Sequence, residues 1–274
     1  MRDESDDAVL REILEGPRRA LVALPDLRRI ERPGWFQIVT PSFRDGGFNG
    51  VECSSLGEAE ADAIIDATLA QYRDLGLKFR WSVLPESTPK DLGARLERRG
   101  LTKSMARAMF ARTSAADVSF DAETGPIHPD VAVEEVDEST VDTFTRLMAI
   151  GWNVEAGPLE KAHRIIFSEP HRKQRLFLAR YRGHEAAVAS YVICEPTPNS
   201  SSAPPSGSAY LLGGLVLPEF RGRGLYRALV SARLRDVRAR GVLLVTTQAR
   251  ETTSAPILER MGFRTACRFA NYCN

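Results

Sequence analysis

The sequence predicts an α+β fold arranged in two lobes. Segments with strand-like alternation and segments with helical periodicity follow one another along the chain. The order strand, helix, strand, helix, strand over residues 50–111 recurs over residues 210–272. The best local match is Leu96–Thr102 with Leu258–Arg264, where in each case a helical pattern ends at glycine and a strand pattern begins. The repeated order therefore predicts two copies of one architecture.

A domain boundary is predicted in the middle of the chain. The segment Thr113–Pro129 is rich in Ser, Ala, Asp, Gly and Pro and has no periodicity, which is typical of a linker. Since 274 residues are enough for two ordinary domains, we predict one domain over residues 1–125 and a second over residues 126–274. A low-complexity segment, Glu195–Ser208, predicts a surface connection between two strands of the second domain.

The elements of the first domain follow from hydrophobic periodicity and from helix-boundary residues. Pro89 in a first turn and Gly100 just past a last turn delimit a short helix, with Ser87 or Thr88 as its N-cap. The predicted order is a helix over 8–21, strands over 35–40 and 50–54, a helix over 58–75, a strand over 79–84, a helix over 89–99 and a strand over 101–111.

In the second domain the same patterns predict four helices and six strands. Within the strand over 208–217, Gly213-Gly214 predicts a bulge or a close backbone approach. The predicted order is a strand over 131–136, helices over 141–152 and 159–167, strands over 175–181, 186–194 and 208–217, a helix over 225–240, a strand over 242–247, a helix over 254–261 and a strand over 264–272.

A glycine-rich turn between a predicted strand and a predicted helix is the strongest functional signal. It runs Arg221-Gly222-Arg223-Gly224-Leu225-Tyr226-Arg227. A turn of this kind directs several backbone N–H groups and the positive end of a helix dipole at one point, which favours a phosphate or pyrophosphate. Glycine lets the backbone approach the anion and adopt positive φ, and the arginines add positive charge.

Two other nucleotide-binding loops do not fit this turn. A P-loop requires GxxxxGK[ST], a pattern that the chain lacks. A dinucleotide-binding fingerprint requires GxGxxG and an acidic residue at the end of the next strand. In this chain Arg227 occupies the position of the third glycine. The following strand ends Thr246-Thr247-Gln248-Ala249, without an acidic residue at its tip.

The stretch Leu215–Leu225 resembles the acyl-CoA signature [RQ]xxGx[GA] of the GNAT superfamily, the acetyl-CoA-dependent N-acetyltransferases. Arg221 and Gly224 match the signature, whereas Tyr226 stands where glycine or alanine is usual. The resemblance extends over about Val131–Tyr272 and implies a mixed, mainly antiparallel twisted sheet flanked by helices. The first domain resembles a degenerate copy of the same fold. Its corresponding turn, Ser54–Glu60, has two acids and no arginine.

The resemblance implies which residues bind acetyl-CoA as co-substrate. In the family the strand before the turn splays from its neighbour, and the pantetheine arm pairs with its main chain. The implied cofactor-binding residues are Leu215, Val216, Leu217, Arg221, Gly222, Arg223, Gly224, Leu225, Tyr226 and Arg227. A main-chain N–H in this strand would hold the oxyanion that develops on the thioester.

The catalytic residues are less evident, because the tyrosine that often protonates the departing thiolate is replaced by Leu258. Tyr226 is a candidate because it lies next to the pyrophosphate turn. Tyr210 is a candidate because it begins the central strand, and Glu155 because it lies in a loop that commonly lines the acceptor site. Packing roles for these residues stay open, and so does a reaction without a protein acid, since thiolate is an acceptable leaving group.

Composition excludes several partners. A formal net charge of +1 offers no field for nucleic acid, and no apolar run approaches a bilayer span. The acidic N-terminus lacks a signal-peptide pattern. Four scattered cysteines and four histidines show no metal-ligand spacing. We therefore expect a cytoplasmic protein, monomeric or homodimeric, with reduced thiols and no metal.

The resemblance implies an N-acetyltransferase that moves an acetyl group from acetyl-CoA to a primary amine of a small molecule, peptide or protein. The amine would attack the thioester directly. The alternative is a non-catalytic module that binds or senses acyl-CoA, and the replacement of the usual tyrosine by Leu258 is its motivation.

Overall fold

The computed structural model of the protein describes residues 4–19, 24–44, 47–113, 128–195 and 207–274. Its α-helices are α1 (Glu4–Arg19), α2 (Ala61–Asp74), α3 (Leu92–Arg98), α4 (Val141–Trp152), α5 (Ala156–Ser168), α6 (Leu225–Ala239) and α7 (Ser254–Arg260). The strands are β1 (Arg28–Arg32), β2 (Trp35–Val39), β3 (Gly50–Glu52), β4 (Arg80–Val83), β5 (Thr102–Arg112), β6 (Val131–Glu135), β7 (Gln174–Tyr181), β8 (His184–Cys194), β9 (Ser208–Val216), β10 (Leu244–Arg250) and β11 (Arg264–Cys273). A 3₁₀ turn covers Pro218–Phe220.

The chain divides into two compact units. The larger unit comprises Met1–Val22, Arg107–Gly151 and Leu159–Cys267, and the smaller unit comprises Ala23–Ala106, Trp152–Pro158 and Arg268–Asn274. The predicted domain boundary between residues 125 and 126 and most of the low-complexity segment lie outside the described residues.

In the larger unit the strand order is β5-β10-β9-β8-β7-β6. Strands β6, β7, β8 and β9 pair antiparallel, and β10 pairs parallel with β9. One core lies beneath α6, whose apolar side chains recur at helical spacing, among them Leu225, Leu229 and Val237. A second core around Phe144 and Leu147 of α4 packs on β7 and β8.

In the smaller unit the strand order is β1-β2-β3-β4-β11. Strands β3 and β4 pair parallel, and the other neighbours pair antiparallel. Its core contains Trp81, Tyr72, Ile65 and Leu96, all fully buried. The prediction of an α+β fold with mixed, mainly antiparallel sheets is confirmed in both units.

The predicted sequence repeat corresponds to the same helix end in the two units. After α3, Leu101 N donates to Leu96 O over 3.3 Å, and Gly100 has φ +85°. After α7, Phe263 N donates to Leu258 O over 3.0 Å, and Gly262 has φ +84°. Each helix therefore ends on a left-handed glycine and continues into a strand.

Most element bounds differ from the prediction by a few residues, and two differences have a clear physical reason. Helix α3 begins at Leu92 rather than residue 89, and neither Ser87 nor Thr88 is its N-cap, because their hydroxyls bond Leu84 N and Leu56 O instead. Strand β1 was not predicted, because its sequence RRIER is too charged to show apolar alternation.

The described residues contain no disulfide, no candidate metal cluster and no helix suited to span a membrane. All four cysteines lie among the described residues and form no disulfide. Within the described ranges, no group of three or more His, Cys, Asp or Glu side chains is arranged to hold a metal ion. None of the described helices combines the length and the apolar composition needed to cross a bilayer.

The buried His163 predicts that the larger unit loses stability in mild acid. Its Nδ1 lies 2.6 Å from Thr145 Oγ1, and burial lowers its pKa from 6.5 to about 4. The unfolded state therefore binds a proton that the folded state excludes as pH falls from 6.5 to 4. The free energy of unfolding should decrease by up to about 3 kcal/mol over this window.

Denaturant unfolding at a series of pH values measures this loss. His163→Gln should flatten the slope between pH 6.5 and 4, whereas His184→Gln, at an exposed position, should keep it. An unchanged slope in His163→Gln would show that other groups control the acid limb.

Candidate active site

Strands β9 and β10 separate after a short paired segment. Their parallel register begins at Ser208 with Leu244 and ends at Leu211 with Thr247. At this last pair, Thr247 Oγ1 donates to Leu211 O over 3.0 Å. Beyond it both strands continue, to residues 216 and 250, without further pairing between their described residues. The part of β9 from 212 to 216 therefore has an open edge.

A β-bulge lies in the separated part of β9. The register with β8 shifts between Val188 and Ser190, which pair with Leu215 and Leu212. Gly213 and Gly214 thus stand opposite a single β8 residue, and Gly213 has φ +64°. The prediction of a bulge is confirmed. A Cβ on Gly214 would lie 3.0 Å from Cε2 of Tyr226, so glycine favours this close approach.

The main chain after the bulge points alternately to the two sides of β9. Leu217 N donates to Ala186 O of the neighbouring chain segment over 2.9 Å. By the alternation of an antiparallel ladder, Leu215 also faces β8, and Val216 faces the open edge. Of these three residues, Val216 is the one whose amide and carbonyl point into the gap, and its carbonyl accepts a bond of 3.3 Å from Arg221 Nε.

The glycine-rich turn forms an anion cradle at the start of α6. Gly222 and Gly224 have φ of +76° and +79°, and a Cβ built on either meets no atom within 4 Å. Gly224 is the N-cap, and no side chain caps the helix. The first helical amides have no acceptor within the helix. They and the helix dipole therefore favour an anion in the open space beside the turn.

The arginines of the turn are exposed and two of them have partners. Arg221 bonds back to Val216 O, as described above, and the guanidinium of Arg223 lies 4.7 Å above the centre of the Tyr181 ring. Arg227 is exposed on the first turn of α6. All three raise the local positive potential at the cradle.

Tyr226 lies against the bulge. Its ring contacts the backbone face of Gly214, and its hydroxyl is hydrogen-bonded to Ser254, the first residue of α7. The Ser254 hydroxyl in turn accepts the Arg250 N–H over 3.0 Å. Burial raises the pKa of Tyr226, which keeps the phenol protonated and able to donate a proton at neutral pH.

Tyr210 and Glu155, the other catalytic candidates, lie on other elements. Leu211 packs in the core beneath α6, so the adjacent Tyr210 faces the opposite side of the sheet from Tyr226. Glu155 is exposed in the connection between α4 and α5 and belongs to the smaller unit. Leu258 is 1% exposed in the core beneath α6, where it offers neither a proton nor a hydrogen bond.

Sequence reasoning missed Arg233, which lies beneath this site. It occupies the i+4 position from Leu229 and the i+8 position from Leu225, where the apolar stripe of α6 calls for a hydrophobic residue. It is 2% exposed. The sequence signal that could have identified Arg233 is a charged residue in the middle of the apolar stripe of a helix.

Gly151 predicts a steric coupling between α4 and the open edge. A Cβ at this position would lie 2.0 Å from Cδ2 and 2.6 Å from Cγ of Leu215. Gly151→Ala should therefore displace Leu215 and lower the free energy of unfolding by about 1–3 kcal/mol. Chemical denaturation measures the loss. Gly157→Ala, in a helix where a Cβ meets nothing within 4 Å, is the matched control and should be neutral or slightly stabilising. Equal stability of both variants would show that the side chain of Leu215 relaxes freely.

Comparisons with known proteins agree with this geometry. The sequence model of the acetyltransferase (GNAT) family matches residues 134–263. Among solved structures, the fold is similar to a GCN5-related N-acetyltransferase from Kribbella flavida, at 14% identity and a TM-score of 0.63, covering 100% of this chain and 96% of that chain. A GCN5-related N-acetyltransferase from Sphaerobacter thermophilus has 14% identity and a TM-score of 0.59, with 88% and 76% of the two chains covered. No curated protein sequence matches the chain.

A tandem GNAT protein from the clavulanic acid biosynthesis pathway is also similar, at 14% identity and a TM-score of 0.54, with 99% of this chain and 95% of that chain covered. At such low identity, these structural similarities show the fold alone. The similarity to a tandem GNAT protein agrees with the prediction of two lobes of one architecture. The family model adds the assignment of the C-terminal part. Residues 134–263 thus correspond to an acetyltransferase (GNAT) family domain, and the fold of the chain is similar to that of the GCN5-related N-acetyltransferases.

Proposed function

We propose that the protein transfers an acetyl group from acetyl-CoA to a primary amine of a small molecule, peptide or protein. The observation that carries this proposal is the open edge of β9 next to the uncapped N-terminus of α6. An extended, amide-bearing arm and a pyrophosphate are the two parts of acetyl-CoA that such a pair of features would bind.

The residues present fit acetyl-CoA. The amides from Gly222 to Arg227 would hold the pyrophosphate, since the two positive-φ glycines leave open space there. The amide and carbonyl of Val216 would pair with the pantetheine amides in the manner of an added strand. Leu215 and Leu217 would position Val216 through their bonds to β8 and their packing.

When bound, acetyl-CoA supplies an activated acetyl group on a thiol leaving group. Tyr226 would protonate the departing sulfur, because its phenol lies at the bulge and is protonated at neutral pH. For the proton of the acceptor amine, Tyr210 and Glu155 stay the predicted candidates.

We place the acyl-CoA site in the larger unit alone. In the smaller unit, Glu58 lies just before α2 and Asp62 in its first turn, and both carboxylates pair with Arg95. These carboxylates occupy the helix N-terminus with negative charge of their own, which disfavours a second pyrophosphate.

A non-catalytic module that binds or senses acyl-CoA is the second candidate. The observation that favours it is the burial of Leu258 at the position of the family's usual acid. Such a module would use the same cradle and the same open edge without turning over the ligand.

Calorimetry with acetyl-CoA, combined with detection of released CoA thiol in the presence of a panel of primary amines, separates the candidates. Binding with amine-dependent thiol release supports the transferase. Binding without release across the panel supports the module. If acetyl-CoA does not bind the folded protein, both candidates are wrong.

A further inference from the structure

Arg233 is a buried cation held by main-chain carbonyls. Its Nη1 donates to Ser190 O over 2.9 Å, and its Nε donates to Leu229 O over 3.0 Å. Ser190 is the β8 residue at which the register with β9 shifts. The guanidinium therefore fixes the β8 side of the bulge.

No carboxylate among the described residues pairs with Arg233. The acid nearest to it along α6, Asp236, accepts hydrogen bonds from the Tyr191 hydroxyl and from Arg240 Nε instead. Burying a charge without a counter-ion costs free energy. Burial lowers the pKa of Arg233 to about 10, so the group is still charged at neutral pH. The fold thus maintains a fixed positive charge beneath the bulge.

The charge of Arg233 acts on Tyr226. The two residues are seven apart on α6 and therefore lie on the same face. The bond to Leu229 O, one turn back, directs the guanidinium toward the N-terminal end of the helix. Its electrostatic attraction favours the phenolate of Tyr226 and opposes the effect of burial on that pKa. The other titratable groups near it, Tyr191 and Asp236, bond to each other.

We infer that Arg233 is a positioning residue of the acyl-transfer site, which holds the bulge through Ser190 O and sets a positive charge beside Tyr226. The inference rests on the proposed function. In that reaction the amine nitrogen bonds to the acetyl carbon and loses a proton to a base or to water, the C–S bond breaks, and its electron pair stays on sulfur. The sulfur then takes the proton of Tyr226, and the Tyr226 phenolate regains a proton from solvent. A fixed positive charge lowers the energy of the negative charge that forms on sulfur, whether or not the proton has moved.

The pKa of the thiol of bound CoA would report this charge in the absence of an acceptor amine. The titration of this thiol is followed by the absorbance of the thiolate. The absorbance of the desulfo-CoA complex is subtracted from that of the CoA complex, which removes the contribution of the protein's own tyrosines and cysteines. Arg233→Gln keeps a donor for Ser190 O but removes the charge. At a given pH we expect about tenfold less thiolate in this variant. Arg235→Gln, at an exposed position of the same helix, should titrate like the wild type.

The outcomes separate the inference from the proposed function. If Arg233→Gln binds CoA and its thiol titrates as in the wild type, the inference is overturned and the proposed function stands. A lower unfolding midpoint with an unchanged titration also overturns it, because that result describes a structural residue. If wild type does not bind CoA, both fall.

Arg233→Met carries the test if Arg233→Gln does not fold. A methionine fills part of the same buried space with a flexible apolar chain and carries no charge. The pKa of the bound CoA thiol should therefore be higher than in the wild type in this variant too. A titration that coincides with the wild type overturns the inference.

Discussion

Gly224→Asp is expected to weaken acetyl-CoA binding by about 100-fold or more. Gly224 is the N-cap of α6 with φ +79°, and the space around its Cα is open. An aspartate there would accept the first helical amides itself, as N-cap carboxylates do. It would also set a negative charge where we propose the pyrophosphate. Calorimetry of acetyl-CoA binding measures the loss.

Gly241→Asp is the matched control for this substitution. Gly241 lies just beyond the other end of α6, with φ +75° and no atom within 4 Å of a built Cβ. Both variants therefore bear the same backbone strain of about 1–2 kcal/mol, and only one is at the cradle. If folded Gly224→Asp retains wild-type affinity, the assignment of the turn to the pyrophosphate is wrong.

Tyr226→Phe is expected to lower kcat by about 100-fold or more. The phenol lies against Gly214 at the bulge, and phenylalanine keeps this contact while it removes the proton and the bond to Ser254. Affinity for acetyl-CoA should therefore change little. Steady-state kinetics with an amine that the wild-type protein acetylates, together with calorimetry, separates the two quantities.

Tyr72→Phe controls for the loss of a buried phenol. In the smaller unit the Tyr72 hydroxyl donates to Ile38 O over 2.9 Å and lies 3.0 Å from Gly50 O. This variant should lose stability and keep kcat. A Tyr226→Phe enzyme with wild-type kcat would show that Tyr226 is a packing residue and that the thiolate leaves without a protein acid.

The features that sequence predicted well are local ones. Positive-φ glycines, a helix start and the bulge at Gly213-Gly214 depend on a few consecutive residues, so the turn from 221 to 227 could be recognised without a structure. The strand RRIER of β1 could not, because an edge strand is often charged and its pairing with β2 is set by the partner rather than by its own pattern.

The sequence by itself determined the strand–turn–helix cradle and the repeated α+β architecture, since these follow from local conformation and periodicity, and the resemblance to the acetyltransferase family rests on the signature in that turn. Only the tertiary structure decided that β9 parts from β10 after Leu211, that Tyr226 meets Gly214, and that Arg233 lies beneath the bulge. Each of these depends on register or on contacts between residues far apart in the chain. No local pattern specifies such contacts, because they are fixed by packing of the whole unit.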